Sequence, residues 1–280
     1  MKLVTIYGGA VLALLLSLPR VGQADDDTPP PPIPDALRPA VAEAERVGRL
    51  LQRLDRAAWV ATDVMQGDRD ARKLRKSVRG WITMPTDTGT RVGFFDDGIP
   101  ARPVYFVEVD QTGRTSGRAA AGEDVFDDTE QAMIRARHAA ISQSFLQCSR
   151  TYNTVVYPEG DAIHVYLMAG TTKHDVYPAG GHHRFTYDAS GTELRSSRGF
   201  TRACIDLDAT PPGKPGEHQP GMLFITHLLD PQPTEIHAFI SLNAGVPLMV
   251  ATASAADPEK PAIWAVEEGR ISLVDAGGDD

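Results

Sequence analysis

Short catalytic signatures are missing from this chain. It has no G-x-S-x-G elbow, no H-E-x-x-H zinc helix, no S-x-x-K, no G-x-x-x-x-G-K phosphate loop and no G-x-G-x-x-G after a strand. Those absences remove the positive evidence for the common hydrolases and nucleotide-binding enzymes, although scattered catalytic groups stay open. Cysteine is scarce, with only Cys148 and Cys204. Beyond Leu18 no apolar run approaches the ~20 residues that a membrane-spanning helix needs. Excess positive charge is also lacking: 28 basic side chains face 37 acidic ones, a net charge of −9. Such a surface repels nucleic acid and anionic lipid and favours solubility.

What is present begins with an export signal. Lys2 supplies a positive start, Leu3 to Leu18 an apolar core, and Gly22 and Ala24 the small residues of a cleavage site. Cleavage is therefore expected after Ala24, leaving Asp25-Asp26-Asp27 as the new N-terminus in the periplasm or outside the cell. Losing Lys2 and Arg20 would leave 26 basic against 37 acidic side chains, a net charge of −11. In an oxidising compartment two cysteines are expected to pair. The alternative, Cys148 as a nucleophile with His138 or His164 as base, would leave Cys204 unpaired, so a Cys148–Cys204 disulfide is the expected state.

Residues 25–34 carry five prolines between Thr28 and Pro34 and read as a stiff linker. The remainder divides into an α+β part over 35–147, a β-rich part over 148–276 and an acidic tail over 277–280. Two long helices are expected. The first runs from Asp35 to Ala58 with Leu37, Val41, Ala44, Leu51 and Leu54 on one side. The second runs from Asp127-Asp128-Thr129-Glu130 to about Gln147, with Met133, Ile134, Ala136, Ala140, Ile141 and Phe145 as its buried face. Alternation at Trp59–Thr62 suggests a strand. Three further strands, near 81–84, 91–95 and 104–109, predict a small N-terminal sheet, and 111–122 reads as an exposed loop. The basic segment from Asp68 to Arg79 reads as a solvated face. After Cys148, strands at 153–157, 162–168, 182–187, 192–198, 221–228, 235–242, 247–252, 262–266 and 270–274 predict one larger antiparallel C-terminal sheet.

Histidine is the strongest remaining chemical signal, since seven of the eight follow Cys148. A hairpin of Gly221–Leu228 with Glu235–Leu242, turning at Gln232, would place His227 opposite His237 on one face. Opposed imidazoles could share a divalent metal, with Asp230, Glu235, His182 or His183 as third ligand. A pair of structural histidines at a polar sheet end is the simpler expectation. His182 and His183 should point to opposite faces, His183 beside Phe185 and Tyr187. His164 should sit at the edge of a buried strand.

The segments Gly180-Gly181-His182-His183-Arg184-Phe185-Thr186-Tyr187-Asp188 and Thr226-His227 through Ile236-His237 resemble a pattern in an uncharacterised group of exported proteins of Gram-negative bacteria. That resemblance implies export and a β-rich C-terminal part, and implies no activity. The expected function is a non-catalytic binding protein without a cofactor, using its C-terminal sheet to hold a protein or a small ligand. The alternative is a metal-assisted cell-envelope hydrolase built on His227 and His237.

Overall fold

The computed structural model describes residues 30–209, 221–254 and 260–276. Cleavage at Ala24, residues 25–29 of the proline-rich linker and the acidic tail 277–280 lie outside the described residues. The first helix, α1, spans Arg38–Gly67, well past the expected end at Ala58. Trp59 is not in a strand: it lies on the solvent side of this helix, 60 % exposed. The buried stripe simply continues through Ala57, Ala58, Ala61 and Met65. Small residues make that stripe weakly apolar, which is why its 3.6-residue period is easy to miss.

Two sheets pack on α1, and a second helix packs against both of those sheets. Strands β1 (Gly80–Thr86), β2 (Gly89–Phe95), β3 (Pro103–Asp110) and β4 (Thr115–Ala119) form an antiparallel meander. Val92, Phe94, Tyr105 and Val107 cover the C-terminal half of α1. Fully exposed β4 falls in the segment read as loop, because no buried face marks it. Helix α2 (Asp128–Ile141) starts at an Asp127/Glu130 capping box, as its sequence indicates, but stops at Ser142, short of Cys148. Beyond it, β5 (Tyr152–Glu159), β6 (Ala162–Ala169), β8 (His183–Asp188) and β9 (Leu194–Gly199) make a second antiparallel sheet, and β7 (Val176–Pro178) pairs only with β10 (Asp206–Asp208). Alternation splits this second sheet between two cores. Val156, Ile163, Val165 and Leu167 face α2, while Val155, Tyr157, Tyr166 and Met168 face α1.

Among the described residues, the expected single large C-terminal sheet is two four-stranded sheets and the two-stranded β7–β10 pair. The third contains β11 (Leu223–His227), β12 (Leu248–Ala253), β13 (Pro261–Glu267) and β14 (Arg270–Asp275) in that order. Its β11–β12 pair is parallel. A parallel pair needs a crossover, and Glu235–Ala244, read as a strand, supplies it as the helix α3. This segment is buried nearly all round, so its composition carries no amphipathic period and its β-branched residues look strand-like. Thr234 before it and Gly245 after it, at φ 67°, are the start and stop signals. Among the described residues, the two long helices expected are thus one long α-helix and two shorter ones.

Gly48 lets α3 lie against α1. A β-carbon there would fall 2.5 Å from Ala238 Cβ and 2.9 Å from the Glu235 carbonyl oxygen. At the start of α3, Glu235 accepts hydrogen bonds from the Tyr166 hydroxyl at 2.8 Å and Arg184 at 3.1 Å, fastening the third sheet's helix to the second sheet. The Cys148–Cys204 disulfide joins the segment after α2 to the one before β10.

Candidate functional site

His227 and His237 do meet, though not across a hairpin. His227 ends β11, the chain turns through Asp230 and Pro231, and His237 lies in the first turn of α3. Their ring centroids are 4.8 Å apart, edge to face, and both side chains are buried. His227 Nε2 donates to Asp230 Oδ2 at 2.8 Å, and Arg198 of β9 donates to the same oxygen at 2.6 Å. Burial alone would raise the Asp230 carboxyl, but the His227 hydrogen bond and the Arg198 charge outweigh it and hold it below the ordinary range.

The hydrogen bonds decide what these rings can do. The Thr234 backbone N–H donates to His237 Nδ1 at 2.9 Å. That nitrogen must therefore offer its lone pair, which leaves the proton on Nε2. A metal bound at Nε2 would need the opposite tautomer and would set an Nδ1 proton against the Thr234 N–H. Desolvation, followed by the neighbouring His227, pushes the His237 pKa down to about 3. His182 is equally committed, accepting from Ala169 N–H at Nδ1 and donating from Nε2 to the Pro178 carbonyl. Burial takes its pKa down to about 4.

Of the other ligands considered, Asp230 alone joins the pair. Glu235 turns to Tyr166 and Arg184, and His183 stacks on Phe185 at 4.5 Å and contacts Ser197. No group of three or more His, Cys, Asp or Glu side chains among the described residues is placed to hold a metal ion. This donor set does not fit a metal centre. Nor does a Ser, Thr or Cys hydrogen-bond a ring nitrogen of His227 among the described residues, and both cysteines are consumed in the disulfide. The cluster's evident work is to tie β11, α3 and β9 together. His164 bonds Thr186 across the second sheet, and the basic segment folds as two short 3-10 turns.

A different feature of the third sheet is more suggestive. Leu223, Ile225, Leu248, Val250, Trp264, Val266, Ile271 and Leu273 point inward to the core beneath α1 and α3. On the outer face, register aligns Phe224 with Met249, Ala265 and Ser272, and Thr226 with Ala251 and Ile263. Met222, Phe224 and Val274 are 57, 58 and 48 % exposed. An open sheet face normally carries polar residues, and parallel strands are normally covered on both faces. Much of this face is apolar and open among the described residues, with Met249, Ile263 and Ala265 partly exposed and Ala251 buried between them. The alternation that makes it was legible in the sequence, but only the assignment of α3 to the inner face shows which side is left open. No family model, curated protein or solved structure matches the chain. The disulfide is of a kind that persists in oxidising compartments, and no helix among the described residues is long and apolar enough to cross a membrane.

Proposed function

We propose that this is an exported, non-catalytic binding protein that docks a protein partner on the outer face of its third sheet. The observation that carries this reading is the contiguous apolar row Phe224–Met249–Ala265 with Met222, Ile263 and Val274 around it. Exposed apolar patches rimmed by polar groups mark interaction surfaces. A flat strand face suits the apolar side of another protein's helix or sheet better than a small molecule, which needs a concavity. With the leader removed, 26 basic against 37 acidic side chains give a net charge of −11 that makes two copies repel each other, so the occupant is a neutral or basic partner rather than a second copy.

Export and removal of the leader after Ala24 belong to the same proposal, supported by the apolar N-terminus and the disulfide. A photo-crosslinking residue at position 224 or 249, in cells, should give one discrete adduct that is missing with the crosslinker at Trp59. Phe224→Glu should abolish the position-249 adduct without lowering stability, because its side chain is already in water. A protein that gives no adduct at either position would refute the partner, and sedimentation as a dimer would replace it with self-association.

A further inference from the structure

A cavity of about 250 Å³ lies between α2, the disulfide-anchored segment and the second sheet. Its inner wall holds Arg137, a charged side chain only 7 % exposed. Arg137 Nε donates to Thr154 Oγ1 at 2.8 Å, and Thr154 lines the same cavity. Its two terminal nitrogens have no hydrogen-bond partner among the described residues, and no described carboxylate pairs with it. Phe95 and Trp81 flank the guanidinium at 5.5 and 5.6 Å, and Gly80 makes room for it, since a β-carbon there would lie 2.7 Å from one terminal nitrogen.

Burying an uncompensated cation costs several kcal/mol, and a chain with 37 carboxylates had ample means to neutralise it. Instead, among the described residues, the only other ionised group lining the cavity is a second cation, exposed Arg150. Around these charges Ile141, Phe145 and Leu167 supply apolar wall. Tyr152 holds the rim: its hydroxyl accepts from the Cys148 backbone N–H at 2.7 Å and its ring packs edge-on to Phe145. Guanidinium forks match the geometry of carboxylates, with two parallel N–H donors for two oxygens. At ~30 Å³ per water, the space takes about eight water-sized groups.

We infer that this cavity is a binding site for a small monocarboxylate with an apolar body, its carboxylate received by Arg137 and Arg150 and its body by Ile141, Phe145 and Leu167. The site is separate from the outer face of the third sheet and stands whether or not that face docks a partner. Benzoate is a suitable probe and benzamide its uncharged control, titrated against the purified, disulfide-bonded protein by calorimetry and thermal unfolding. Benzoate should raise Tm saturably and benzamide should not. Arg137→Met should abolish the benzoate response while unfolding at or above the parent Tm without ligand, because it removes an unpaired buried charge. Arg150→Gln should weaken binding by about tenfold. Ile141→Trp, at a 46 % exposed position, should block the cavity without touching either arginine, and it decides the matter if Arg137→Met does not fold. Equal stabilisation by benzamide or by chloride, or an unchanged benzoate response in Ile141→Trp, would overturn the site.

Discussion

Lowering the pH from 7 to 5 should weaken the native state chiefly through His182 and His237, whose rings the fold holds neutral. Burial depresses their pKa values to about 4 and about 3, against ~6.5 for an unfolded histidine. Both native values lie below the unfolded one. The unfolded chain therefore binds more protons in the window between them, and acid favours it. Well above pH 6.5 neither state is protonated and the effect fades away. At pH 5 each histidine should cost about 2 kcal/mol, together about 4 kcal/mol, relative to pH 7. His138, His164 and His183, lowered by the same desolvation, add in the same direction. Urea titrations at pH 7, 6 and 5 would read this as a midpoint falling by about 1–2 M. His237→Gln isolates one of the two sites, since glutamine three residues after a threonine N-cap can still accept from the Thr234 N–H but does not titrate. That variant should lose about 2 kcal/mol of the pH 7-to-5 change, the share of His237. A urea midpoint that stays level from pH 7 to 5, or a His237→Gln slope equal to the parent's, would refute the reasoning.

Gly48→Ala, normally favourable within a helix, should instead destabilise the protein by about 1–3 kcal/mol, because the new methyl would meet Ala238 Cβ and the Glu235 carbonyl; denaturant unfolding measures it, and a more stable variant would show that α1 and α3 do not cross there. Cys148→Ser should lower stability by up to roughly 4 kcal/mol, the chain-entropy value for a 56-residue separation. Calorimetry of the variant against the oxidised parent checks this, as does peptide mapping of the parent, which should recover Cys148 linked to Cys204.

Local signals were enough for much of this protein. The cysteine pair, the Asp127 start of α2 and eleven of the strands follow from turn residues and two-residue alternation, which act over a few neighbours. The proximity of His227 and His237 was also anticipated, for a reason the structure replaces. Strand and helix both return the chain to the same place, and only the burial of Glu235–Ala244 on nearly every side makes it the crossover helix. Tertiary structure alone decided the rest. Whether β12 pairs parallel with β11, which face of the third sheet stays open, and that Arg137 is enclosed without an anion all depend on residues far apart in sequence. Arg137 reads in sequence as one more helical arginine. Its isolation arises because Gly80, Thr154 and Leu167 arrive from other strands and none of them carries a charge.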